Sequence, residues 1–307
     1  MFGIAQNVAA AQAMIARSHS GGSKSELKDS SRSPLRASLK PTTQSRGIMP
    51  VAAQITPQPT TVFLRQVEPL TDVRRPGLTC AKCNLRETCL SGGVPAEDLE
   101  RIENIVYARR RIKRGERLFN AGDTFRGLFA IRSGFFKTSL VDGEGRDQVT
   151  GFFMGGELLG MDGLGSGRYK DHAIALEDSD VCVMPYSLIE EVALEVPSLQ
   201  RRLHTFLARE IGRGHGVMLL LGLMCAEERL ATFLINLSRR LLHRGYSGSN
   251  FVLRMTREEI GSYLGLKLET VSRLFSAFQK SGLIGIQQKQ VSIVDIKGLE
   301  RILSPGD

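Results

Sequence analysis

The sequence predicts an α+β chain: an N-terminal antiparallel β-roll, a long helix suited to self-pairing, and a C-terminal winged helix–turn–helix. Three observations lead there. Turn signals recur every eight to twelve residues between 111 and 185, as many short antiparallel strands require. An apolar stripe at helical spacing follows, through Leu199, Leu203, Phe206, Ile211, Val217, Met218 and Leu221. The chain then closes on a helix, a glycine turn, a second helix and a hairpin.

The 307 residues leave room for two domains and a linker, and an apolar fraction of 42% supports a core. No run of eighteen apolar residues is present, so no spanning helix is expected. The start, MFGIAQNVAAAQAMIARS, has no basic cluster ahead of an apolar block, which argues for a cytoplasmic chain rather than a secreted one. The net charge is +9, and residues 1–79 carry ten Lys or Arg against four Asp or Glu. That excess suits either a polyanionic partner or a solvated tail. Ser, Pro, Thr and Gly dominate residues 18–59, with little to bury, so residues 1–78 are expected to form a disordered basic tail. Met49 within it is a second candidate start of translation.

The stretch CAKCNLRETC, in a loop expected over residues 79–92, packs Cys80, Cys83 and Cys89 into ten residues. In a reducing compartment such thiols point to a metal or to redox chemistry rather than to disulfides. Iron–sulfur clusters take four thiolates at irregular spacing, whereas structural zinc favours two C-x2-C knuckles, of which one is present. Three thiols are an incomplete set for either.

A sensor domain is expected over 93–192, opening on an amphipathic helix at 97–108 before the strands begin near 111. The helical stretch at 193–224 contains Gly212, Gly214 and Gly216, each costing a helix about 1 kcal/mol relative to Ala. They imply close approach of a second helix, a weakened seam, or a break into two helices. The expected pairing face is Leu203, Phe206, Ile211, Gly214, Met218 and Leu221, in a homodimer.

Residues 225–307 carry the reading unit. Thr256 and Glu259 form a capping box, Gly265 makes the turn, and residues 268–280 supply the second helix. Ile260, Leu264, Leu266, Val271, Leu274 and Phe278 hold the pair together, which leaves Glu269, Ser272 and Arg273 on the outer face. That face is where such a unit meets the major groove of double-stranded DNA. Arg suits guanine's two acceptors and Glu accepts from cytosine's amino group. A surface ion pair between Glu269 and Arg273 is the plainer alternative. Lys289 at the hairpin tip suits a phosphate contact.

The segments GDTFRGLFAIRSGFFKT, DQVTGFF, AEERLATFLINLSRR and LETVSRLF, in the order roll, long helix, winged helix–turn–helix, resemble the CRP/FNR superfamily of transcription regulators, and within it the FNR branch (fumarate and nitrate reduction regulators). The resemblance covers roughly residues 79–303. It implies a cyclic-nucleotide-binding-like roll, and a [4Fe-4S] cluster on Cys80, Cys83, Cys89 and a distant fourth ligand, Cys182. It further implies an oxygen-responsive activator or repressor that dimerises on a TTGAT inverted repeat, read through Glu269, Ser272 and Arg273. Loops such as 141–146 and 186–188 would touch RNA polymerase, and Cys225 stays outside the set as a core thiol. Three features depart from the family. Lys267 stands where relatives place Thr or Ser at the cap of the second helix, with a phosphate contact as compensation. Thr88 puts a polar group before the third thiol, and the glycines interrupt the seam.

The alternative is a CRP-like, thiol- or zinc-containing regulator with another effector. A cyclic-nucleotide pocket would use the turn Gly156-Glu157-Leu158, which is present, and an Arg-Ser pair, which is replaced by Lys170-Asp171-His172-Ala173. Asp171 would repel a phosphate, so the turn reads as structural. An enzyme is not expected: GLGSGR at 163–168 lacks the Lys-Ser/Thr ending of a phosphate loop, and the five histidines show no metal-like pairing.

Overall fold

The computed structural model describes residues 80–303. The expected basic tail, Met49, Thr79 and the last four residues lie outside that range.

A 3-10 turn, Ala96–Asp98, leads into α1 (Leu99–Ile105). Eight strands follow: β1 (Ala108–Ile112), β2 (Arg117–Phe119), β3 (Gly127–Ser133), β4 (Phe135–Val141), β5 (Asp147–Met154), β6 (Leu158–Leu159), β7 (His172–Ala175) and β8 (Ser179–Pro185). They form two four-stranded antiparallel sheets, ordered β1-β8-β3-β6 and β2-β7-β4-β5. Between them lies an aromatic core that includes Phe119, Phe129, Phe136, Phe153 and Tyr169. The period-two rule decides what each face of β8 meets. Val181 and Val183 point into the roll, while Cys182 and Met184 join a second cluster outside it.

That outer face is covered by α1, by α2 (Tyr186–Glu195) and by the start of α3 (Pro197–Leu223). Pro197 opens α3 where a missing N–H costs nothing. With 27 residues, α3 is about 40 Å long. It runs unbroken through Gly212, Gly214 and Gly216, which excludes the two-helix reading.

The rest comprises α4 (Ala226–Leu242), β9 (Asn250–Val252), α5 (Arg257–Leu264), α6 (Leu268–Lys280), β10 (Ile284–Gln287), β11 (Gln290–Ile293) and α7 (Ile296–Ile302). The capping box is present: Glu259 N–H donates to Thr256 Oγ1 at 3.1 Å, and Thr256 N–H to Glu259 Oε2 at 2.7 Å. Gly265 closes α5 at φ +63°, a left-handed turn that a Cβ would strain.

Several expectations need correction. The helix expected at 97–108 ends at Ile105, because Ala108 and Ile112 point inward at 6% and 1% exposure and open an edge strand. The run Arg109-Arg110-Arg111 concealed that strand. Residues 186–188 are the first turn of α2, not a loop. The wing is a three-stranded sheet, β10-β11-β9, rather than two strands. Cys225 is exposed and caps α4: its N–H donates to Glu228 Oε2 at 2.7 Å and its side chain accepts from the backbone of Glu228. A thiol in that position serves a helix end, not a core.

Candidate metal centre and nucleic-acid interface

The loop carrying the first three thiols is a chain of tight turns. Cys83 N–H donates to Cys80 O at 3.1 Å, Arg86 N–H to Cys83 O at 3.0 Å, and Cys89 N–H to Leu85 O at 2.9 Å. Leu90, 1% exposed, and Val94, 3%, pin the loop to the outer face of the roll. Arg202 of α3 clasps it from the other side, donating from Nε to Cys89 O and from Nη2 to Glu87 O. Cys182 comes from a different origin, the middle strand β8, paired with Arg109 on one side and Ala130 on the other.

All four cysteines line one cavity, whose remaining walls are largely apolar: Leu85, Leu90, Ile102, Val106, Ala130 and Met184 contribute to it. Burial pushes the Cys80 thiol up to about 11, with the neighbouring Cys182, Glu103 and Cys83 adding to the rise. Ser91, 2% exposed, partly offsets it. Burial likewise pushes Cys89 up to about 12. Burial raises Cys182 too, while the Arg109 guanidinium beside it pulls the other way.

The donor set fits a [4Fe-4S] cluster on two counts. Four converging cysteines are the complement such a group takes. Arg109 Nε is buried without a hydrogen-bond acceptor, next to the sulfur of Cys182, where an anionic sulfur group would accept from it. Among the described residues no three or more His, Cys, Asp or Glu are set to hold a metal ion. Ser91, Arg109 and Arg202 were not singled out from the sequence. Only the spatial pairing of strands and loop reveals them.

The cyclic-nucleotide reading fails on particular residues. Glu157, in the turn that would hold the ligand, is committed to protein: Arg240 of α4 and Arg244, just past its C-terminal end, reach its two oxygens at 2.6 and 2.7 Å. Burial pushes the Glu157 carboxyl up, but Arg240, Arg213 and Arg244 outweigh it and hold it at about 2. Asp171, in the stretch that replaces the expected Arg-Ser pair, accepts from Thr150 Oγ1 at 2.6 Å.

At the other end, α6 presents Glu269, Ser272 and Arg273 to solvent while Val271, Leu274, Phe275 and Phe278 are buried. Arg273 Nε donates to the backbone oxygen of Glu269 at 3.4 Å, and no ion pair joins the two side chains among the described residues. Lys267 caps α6 without any side-chain bond to the helix, and its side chain is exposed. Lys289 sits at the tip of the wing beside Gln288, whose φ is +54°. The reading unit is docked on the roll. Lys137 Nζ meets Glu259 Oε1 at 3.0 Å, Val149 N–H donates to Ser262 Oγ at 2.8 Å, and the rings of Phe152, Phe233 and Tyr263 meet one another at steep angles.

The expected pairing face divides. Phe206 is 7% exposed, with Arg202 and Arg209 over its ring, and Leu203 packs against the same inner cluster. These two residues face into their own subunit, because the first turns of α3 must cover the cysteine loop. Ile211 at 61%, Met218 at 64% and Leu221 at 38% are exposed, as is Gly214. Leu207, Leu219 and Leu223, not expected from the sequence, share that exposure. A Cβ added at Gly212, Gly214 or Gly216 would meet nothing within 4 Å.

Comparison with known proteins agrees with this layout. Residues 228–302 match the Crp-like helix-turn-helix domain, and residues 109–195 the cyclic nucleotide-binding domain. The transcriptional regulatory protein btr of Bordetella pertussis is 44% identical over 224 residues, 73% of this chain and 93% of that protein. The fumarate and nitrate reduction regulatory protein of Escherichia coli K12 is 39% identical over 73% of this chain and 89% of its own. Among solved structures, FixK2 from Bradyrhizobium japonicum aligns with a TM-score of 0.58 at 29% identity, over 64% of this chain and 96% of that one. Among the described residues no helix is long and apolar enough to cross a membrane.

Proposed function

The chain belongs to the FNR branch of the CRP/FNR transcription regulators, and from that premise we propose that it is a cytoplasmic, oxygen-responsive regulator holding a [4Fe-4S] cluster on Cys80, Cys83, Cys89 and Cys182. That it is a DNA-binding regulator rather than an enzyme follows from the family itself. The observation that carries the finer reading is the convergence of four cysteines, three from one loop and one from β8, on a single apolar cavity.

The cluster, when bound, supplies an oxygen-labile link among four sulfurs. The chain's residues do the rest. With its thiols tied to Cys182, the loop is held against the roll, and Arg202 fixes α3 to the loop's carbonyls. The exposed face around Ile211, Gly214, Met218 and Leu221 then pairs with that of a second copy. Pairing sets two α6 helices over the half-sites of a TTGAT inverted repeat, where Arg273, Glu269 and Ser272 read bases and Lys267 and Lys289 meet phosphates. Freed from Cys182, the loop no longer supports α3, and the balance moves to single subunits that release DNA. The shift is as large as the difference in stability that loop docking makes between paired and unpaired states. On DNA the dimer activates or represses, with RNA polymerase as the partner in activation and the hairpin at 141–146 as a candidate contact.

The test is anaerobic reconstitution followed by DNA titration in and out of air. Brown protein with about four irons per chain, binding the repeat tightly only without air, is the expected result. Iron-free protein that binds equally well in air would overturn the sensor reading and leave the DNA-binding one standing.

A further inference from the structure

Glu157 joins three parts of the fold at one buried carboxylate. It lies on the turn after β5, a segment of the roll. Arg240 reaches it from α4, which leads into the reading unit, Arg244 from the turn that follows α4, and Arg213 Nη2 approaches from α3 at 3.9 Å. The same two arginines grip the backbone around the turn: Arg240 Nη2 donates to Phe152 O, in β5, at 2.7 Å and Arg244 Nε to Gly155 O, in the turn, at 2.6 Å. The Arg244 side chain is only 6% exposed, so this is an interior joint rather than a surface pair. Charge-assisted bonds of this kind are strong and directional.

The cysteine loop rests directly on that turn. A Cβ on Gly156 would come within 2.2 Å of Thr88 Oγ1, and one on Gly155 within 2.8 Å of Leu85. Gly156 also holds φ +84°, so no side chain fits on either count. Thr88 directly precedes Cys89, and Leu85 lines the sulfur cavity. The sequence reads Thr88 as a polar intruder beside a ligand. In the structure it is the loop's point of contact with the turn.

We propose that Glu157 is a positioning residue that transmits the docked state of the cysteine loop to the reading unit through Arg240 and Arg244, separately from helix pairing. With the loop seated on Gly155 and Gly156, the turn is held in the shape that presents Glu157 to both arginines. With the loop away, the turn loses its cover and the joint loosens, and α4 and the unit it carries lose a fixed orientation on the roll. Two outputs then leave one site: α3 through Arg202, and α4 through Glu157. This inference rests on the proposed loop-docking function, and the experiment separates the two.

Full-length protein, loaded with iron without air and compared with its air-treated form, is assayed as wild type, Glu157→Gln, Glu157→Asp and Arg240→Gln. The readouts are iron per chain, sedimentation, titration of a TTGAT-repeat duplex, and backbone hydrogen exchange over residues 236–246. Wild type should show slower exchange there when loaded. Glu157→Gln should keep iron and dimer but lose that slowing and bind the duplex about tenfold more weakly, and Glu157→Asp should recover part of both. Arg240→Gln, at a less buried side chain, should behave as Glu157→Gln does, so a folding failure at 157 does not remove the test. Wild type that takes no iron defeats the function proposed above. Wild type that loads and responds to air, with exchange unchanged by loading or with Glu157→Gln and Arg240→Gln indistinguishable from it, defeats the present inference alone.

Discussion

Arg202 Nε lies 3.0 Å from the carbonyl oxygen of Cys89, so a cation on the long helix holds the backbone of a sulfur-bearing loop. A second bond, Nη2 to Glu87 O at 2.6 Å, makes the grip two-pronged, and the guanidinium also lies over the Phe206 ring at 5.3 Å. Arg202→Ala removes both donors. Hydrogen bonds from charged groups contribute about 1.5–3 kcal/mol each. Proteolytic nicking within 80–95 should therefore rise at least tenfold in the loaded protein, and the dimer should weaken. Unchanged nicking would mean that the loop is held by Leu90 and Val94 alone.

The corrected orientation of α3 separates two substitutions that the apolar stripe treats alike. Ile211→Asp, at an exposed position, should abolish pairing in sedimentation without lowering the melting temperature of the single subunit. Phe206→Ala empties a buried site and should cost the subunit about 3–5 kcal/mol in denaturant unfolding. The reverse pattern would return Phe206 to the interface.

At the DNA, Arg273→Ala should cost about 1–3 kcal/mol per half-site, and relax discrimination at one base position. Lys289→Ala should weaken all sequences alike and reduce the salt slope by about 1. Titrations of repeat and scrambled duplexes at several salt concentrations read both. A base-selective loss at Lys289 would exchange the two roles.

Glu157 makes stability pH-dependent in a definite direction. Its folded carboxyl is held at about 2, below the ordinary 4.5, so its contribution is complete above 4.5 and disappears as pH falls toward 2. The shift corresponds to about 3 kcal/mol. The stability difference between wild type and Glu157→Gln should be largest near pH 6 and shrink steadily below pH 4. A gap that stays constant to pH 2.5 would show that the carboxylate's charge contributes nothing.

The order of elements was legible because periodicity and punctuation carry it: glycines in the roll, the stripe of α3, the capping box at Thr256 and the turn at Gly265. Edges were less so. The strands are expected to begin near 111, yet Ala108 to Ile112 already form the strand that pairs with Cys182. The inward turn of Phe206 depends on a loop more than a hundred residues away, which no local pattern encodes. Cys225 reads as apolar by type, and only its place at the head of α4 shows its use. The turn holding Glu157 reads as structural because Asp171 stands where an Arg-Ser pair is expected, but the arginine partners of Glu157, 83 and 87 residues onward, become visible only in three dimensions.

Cys182 occupies a central strand whose register is fixed on both sides, by Arg109 and by Ala130. On the proposed function, the post to which the loop would be tied is thus part of the scaffold, while the other three cysteines lie on a short segment outside it. Changes at the loop's exposed positions, Lys82, Asn84 and Glu87, would therefore reset how readily such a tether breaks without disturbing the roll beneath. Sensitivity in such a molecule is adjustable by a few surface substitutions, at no cost to the frame that reads them.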